Sequence, residues 1–174
     1  MKSRALGVKR ACVFTGAAWL AVAGLALTGT GTLTAAPVPL STKSLCTADE
    51  RPLFTCRTGR KLVSLCGNAV GATYRFGQPG HVELSSNKLA FAHVWYSGGG
   101  ESQVSFNNDG FLYIVFDRGV RAAVDGEMAG TAFSAGLLVR KGGRTVSKLG
   151  CADDATIDLD AEKLMPAGKF LYHN

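Results

Sequence analysis

Between residues 53 and 150, apolar residues recur with period two or in short runs, broken by polar stretches that carry glycine, asparagine or aspartate. Period two marks a strand with one buried face. "LFTC" (53–56) and "KLVSLC" (61–66) flank "RTGR", which reads as a tight hairpin turn around Thr58-Gly59. "TYRF" (73–76) and "HVEL" (81–84) flank the Pro-Gly turn "GQPG". "LAFAHVWY" (89–96) is a further strand, separated by "SGGG" from "ESQVSF" (101–106). "NNDG" leads into "FLYIVFD" (111–117), and Asp-Gly between apolar runs is a strong hairpin signal. "SAGLLVRK" (134–141) and "RTVSKLG" (144–150) flank Gly142-Gly143, another two-residue turn. The span 118–131, "RGVRAAVDGEMAGT", reads as strand, loop or both. A short helix is expected over "DLDAEKLM" (158–165), with an Asp cap, early acids, a later lysine and a stop at Pro166. Turn signals this frequent predict an all-β antiparallel domain, barrel or sandwich, with a short C-terminal helix.

The amino terminus departs from that pattern. Lys2, Arg4, Lys9 and Arg10 precede an apolar run over 11–27 and then the small residues of "TGTGTLTAA". Basic, apolar and small segments in that order are the layout of a secretory signal peptide. Cleavage is expected after Ala35, which assigns 1–35 to the leader, 36–45 to a loose arm and 46–174 to one β domain. The competing reading is an uncleaved anchor, since the apolar run approaches the ~18 residues of a spanning helix. After cleavage no stable membrane insertion is expected.

Export changes the charge argument. The whole chain is +6, but four of its 19 basic residues and none of its 13 acids lie in the leader. The remaining balance of 15 to 13 offers no phosphate-tracking stripe, and no nucleic-acid partner is expected. Export also decides the cysteines. Cys12 leaves with the leader, and Cys46, Cys56, Cys66 and Cys151 form an even set in a disulfide-permissive compartment. Their spacing lacks the close pairs of a zinc site, so no metal is expected. A turn at Thr58-Gly59 places Cys56 and Cys66 at opposite ends of the hairpin. That favours Cys46–Cys66 with Cys56–Cys151; Cys46–Cys56 with Cys66–Cys151 stays open.

Candidate chemistry is sparse. "AFSAG" (132–136) looks like a serine-nucleophile elbow with Ala replacing the first glycine, but its surroundings read as β rather than strand–turn–helix. His81, His93 and His173 are the possible bases, and His93 reads as a sheet-face residue. "YSGGGES" (96–102) lacks the Lys-Ser/Thr of a phosphate loop and reads as a mobile hairpin loop. The aspartates of "DDATIDLD" (153–160) lack the glycine and distal glutamate of a calcium loop and read as helix capping and solvation. Trp95, Tyr96, Phe106, Phe111, Tyr113 and Phe116 read chiefly as core.

"LFTCRTGRKLVSLC" with "YRFGQPG" resembles a family of small secreted proteins of Gram-negative bacteria, over Cys46 to about Cys151. The resemblance implies export and disulfides, and no activity. A fainter one is to the membrane-bound or periplasmic inhibitors of c-type lysozyme. These are small β-barrels in which an early Phe/Tyr-x-Cys bonds a C-terminal Cys, as "FTC" and Cys151 could. Their Ser-Gly and Lys-Gly motifs enter the lysozyme cleft, which would make Ser97, Gly98, Lys141 and Gly142 partner-binding residues. No Tyr follows Ser97-Gly98 at the expected distance, and this chain is longer.

The expected function is that of an exported, non-enzymatic β module without cofactor, binding a protein or cell-envelope component through β-edge loops in the periplasm or outside the cell. Lysozyme inhibition is one alternative, a small serine hydrolase using Ser134 another, and a purely structural envelope protein a third.

Overall fold

A computed structural model of the chain describes residues 44–124 and 127–172. The leader and arm assigned above, apart from Ser44 and Leu45, lie outside these residues, as does His173. The described residues form two antiparallel sheets. The first contains β1 (Arg51–Thr58), β2 (Lys61–Asn68), β3 (Gly71–Gln78) and β4 (His81–Ser86), in that order. The second contains β5 (Ala90–Tyr96), β6 (Gly99–Asn108), β7 (Phe111–Val124), β8 (Glu127–Lys141) and β9 (Arg144–Gly150). Each sheet is a meander, and the two face each other as an open sandwich.

The inner faces supply the core. Phe54, Val63, Leu65 and Tyr74 from the first sheet meet Phe91, Val104, Phe106, Val115 and Leu137 from the second. The Tyr74 and Phe106 rings lie 4.7 Å apart, and Phe106 stacks on Tyr113 at 4.8 Å. Burial of Tyr74 pushes its phenol well above the usual range.

The apolar runs in β2 and β7 need more than one buried face, since alternation alone would leave every second residue wet. Both outer faces are roofed by segments from outside the strands. On the first sheet, the Leu45 N–H donates to Ser64 Oγ at 3.1 Å and Cys46 is bonded to Cys66. Arg75 grips Glu50 there with two hydrogen bonds, 2.5 and 3.0 Å. On the second sheet, Leu171 packs on Ile114, Phe116 and Leu138. It exchanges two hydrogen bonds with the Gln103 amide, 2.9 and 3.0 Å.

The second disulfide, Cys56–Cys151, joins β1 to the residue after β9 and so links the two sheets. Two disulfides suit an oxidising environment. No helix among the described residues is long and apolar enough to cross a membrane.

Several local expectations are corrected. The first hairpin turns at Gly59-Arg60, so Thr58 faces Lys61 and Cys56 faces Val63, two residues from the pairing implied by a turn at Thr58-Gly59. Gly59 has φ +63°, a left-handed conformation that glycine adopts without penalty. The "SGGG" loop is shorter than its composition suggests, because Gly99 and Gly100 are paired residues of β6. Residues 118–124 and 127–131 are strand, the distal half of a long β7–β8 hairpin. The C-terminal helix is one 3₁₀ turn, Leu159–Lys163, capped by Asp158, whose side chain accepts from the Asp160 N–H.

Candidate functional site: an aromatic cleft on the second sheet

β7 and β8 run to 14 and 15 residues, against 8 in each of β1, β2 and β3, so the second sheet continues past the core. Cross-strand register arranges its inner face in rows. The first is core: Phe91, Val104, Val115 and Leu137. One step further along, His93, Ser102, Asp117 and Ala135 line up and the face turns polar. The third row is Trp95, Gly100, Gly119 and Phe133. Beyond it, Arg121 faces Thr131.

The third row has two large rings at its ends and no side chains between them. Trp95 lies over Gly100, where an added Cβ would stand 2.8 Å from the indole. Phe133 lies over Gly119, with the corresponding distance 3.2 Å. Both rings stay open to solvent, at 74% and 75% exposure. Two large apolar rings held open on one sheet face offer contact surface for a ligand. The chain from 154 to 157, with Leu159, forms the facing wall of a cleft of about 750 Å³. That volume falls within the range of small-molecule sites.

The polar row is held in place by the main chain. Asp117 accepts the Ser102 N–H on Oδ1 (3.1 Å) and the Ile157 N–H on Oδ2 (3.0 Å), which pins the cleft wall to the sheet. His93 Nδ1 is 3.0 Å from Ser102 Oγ, and its ring meets Trp95 edge-on at 4.5 Å. His93 Nε2 is buried and has no hydrogen-bond partner. At the rim Arg118 Nε donates to the Tyr96 hydroxyl (3.1 Å) and lies 3.9 Å from the Glu101 carboxylate. The Arg121 N–H donates to Gly98 O, which ties the β5–β6 turn to β7.

His93 and Ser102 form the nearest approach to a nucleophile–base pair. Among the described residues Asp117 does not complete a triad, since its oxygens accept backbone N–H groups and neither imidazole nitrogen bonds it. Ser134 lies inside β8 opposite Arg118, so the strand–turn–helix of a nucleophile elbow is not formed there. Alternation along the strands puts Ser134 and His93 on opposite faces of the sheet. His81 belongs to β4 of the other sheet.

The remaining sequence candidates separate. Ser97 and Gly98 form the β5–β6 turn at the cleft, whereas Lys141 ends β8 and Gly142 lies in the next turn, at the far end of the sheet. Lys141 lies about nine residues along β8 from Ala132, which is level with Gly99 beside the turn, or ~30 Å of strand. The two motifs do not meet on one surface. The aspartates of 153–160 also diverge. Asp153 pairs with Arg57, Asp158 with Arg51 and Asp160 with Lys163, while Asp154 lines the cleft. Cys46, Glu50 and Cys66 are clustered closely enough to suggest a metal, but the sulfurs are bonded to each other and the carboxylate holds Arg75.

Sequence reading missed the glycine row. Its signal is present only when 118–131 is taken as strand, which sets "GGGE" against "RGVR" and leaves Trp95 beside glycine. Among the aromatics read as core, Trp95 is open while Phe106 and Phe116 are buried. No family model, no curated protein and no solved structure matches the chain.

Proposed function

We propose that this protein is an exported binding module of the periplasm or extracellular space that holds a cell-envelope component in the cleft of its second sheet, without turning it over. The observation that carries this reading is the row Trp95–Gly100–Gly119–Phe133, two exposed rings over a floor without side chains. Rigid strands hold the rings, so little order is lost on binding. The polar row beneath can orient a ligand by hydrogen bonds. The leader-like amino terminus and the two disulfides support the compartment. Lysozyme inhibition would have to proceed through Ser97-Gly98 alone, since Lys141-Gly142 is at the other end of the sheet.

The test uses Trp95 as reporter. The full chain carrying Trp19→Phe retains a single indole. Acrylamide quenches it readily in the free protein, and solubilised envelope fractions are screened for protection. Protection that disappears on heat-unfolding the protein supports the reading. A full set of fractions that leaves the quenching constant unchanged refutes it.

A further inference from the structure

Resting on the cleft reading, we infer that the ligand is a pyranose glycan, stacked by its C–H faces on Trp95 and Phe133. A sugar ring is amphipathic in a particular way, with a nearly flat face of C–H bonds and hydroxyls around the edge. Its complement is a flat aromatic surface ringed by short polar groups. The cleft has that arrangement. Trp95 and Phe133 pack against glycines and stay open to solvent, which leaves apolar ring surface free for a sugar to stack on. A Cβ at either glycine would lift the ring above it. The row crosses three strand spacings, ~14 Å, long enough for a short run of linked sugar rings.

The polar groups suit hydroxyls better than a charged or lipidic ligand. His93 and Ser102 lie one strand step from the aromatic row, Thr131 stands beyond it, and Asp154 is on the facing wall. The buried Nε2 of His93, without a partner, is a hydrogen-bonding group left over by the fold. Charged groups on the cleft side are of both signs, Arg121 against Asp117 and Asp154. Such a lining attracts no phosphate cluster, and a lipid chain would have to desolvate the polar row.

The Trp19→Phe chain is titrated, with Trp95 emission as readout, against hexasaccharides of β-linked glucose and of β-linked uronate. An apolar decapeptide and zwitterionic phospholipid vesicles serve as comparison ligands. A saturable change with either hexasaccharide, weakened at least ~10-fold by Phe133→Ala, supports the inference, that loss being the order expected for truncating a stacked ring. A preference for the uronate that Arg121→Gln removes assigns an acidic glycan; equal binding assigns a neutral one. Trp95→Ala is followed by calorimetry, and its thermal midpoint checks that the fold is kept. Response to the peptide or vesicles alone overturns the glycan while leaving the cleft reading standing. No response to any ligand, in a chain where envelope fractions do protect Trp95, also overturns it. Absence of both overturns inference and function together.

Discussion

The indole of Trp95 lies across Gly100, close enough that a methyl group on the glycine would stand 2.8 Å from the ring. This one contact couples a backbone choice in β6 to the shape of the cleft. Gly100→Ala is expected to push the indole off the sheet and weaken ligand binding by about tenfold, with stability changed by no more than ~1 kcal/mol, because the added methyl meets chiefly an exposed side chain that it displaces into solvent. Paired thermal unfolding and binding measurements check both halves of that statement.

Gly99 makes the opposite case. A Cβ there would lie 2.0 Å from the Gly119 carbonyl oxygen, which belongs to the backbone and cannot swing away. Gly99→Ala is expected to destabilise the fold by about 1–3 kcal/mol and to disturb the β6–β7 ladder. Denaturant unfolding of the two alanine variants side by side should rank Gly99→Ala well below Gly100→Ala. Equal midpoints would contradict the distinction.

The two disulfides close loops of different length, with separations of 20 and 95 residues. On the chain-entropy model the shorter contributes about 3 kcal/mol and the longer up to about 4.5 kcal/mol. Replacing Cys56 and Cys151 by serine should therefore lower stability more than replacing Cys46 and Cys66. Chemical denaturation of both double variants under non-reducing conditions reads the difference.

Acid should act through Glu50. The hydrogen bond from Arg75 is the largest cause that holds its carboxyl at about 2, below its ordinary 4.5, and burial opposes the shift only in part. A lowered folded-state pKa stabilises above the unfolded value and loses its effect as pH falls. This contribution, up to about 3 kcal/mol, is complete above pH ~4.5 and disappears towards pH ~2. Glu50→Gln is expected to lower stability at pH 7 and to flatten the acid limb in that window. An unchanged limb in pH-dependent denaturation would show that the pair does not set it.

The architecture was legible because it rests on local rules. Period-two patterning placed the strands, and Asp109-Gly110 and Gly142-Gly143 marked turns where the chain does reverse. The disulfides join the pairs favoured by a hairpin with Cys56 and Cys66 at its two ends. The hairpin register was not legible to the residue, since either of two adjacent dipeptides can form the turn and Gly59 suits both. The cleft was hidden for a different reason. Trp95, Gly100, Gly119 and Phe133 come together only through pairing across four strands. In sequence, the glycines of 98–100 imitate a loop and 118–131 lacks apolar alternation. The roofing of β2 and β7 by Leu45 and Leu171 was equally non-local; its trace in the sequence was the failure of those strands to alternate.

The central claim, that the overhang of the second sheet is a ligand site, is tested most directly by amide chemical-shift mapping of the isotope-labelled protein during titration with the oligosaccharide that changes Trp95 emission. The expected result is a set of shifts confined to Trp95, Gly100, Gly119, Phe133 and the wall at 154–157, with the Trp95 indole N–H among the largest. Shifts centred on Lys141-Gly142 or on β4, with the four-residue row unmoved, would contradict it.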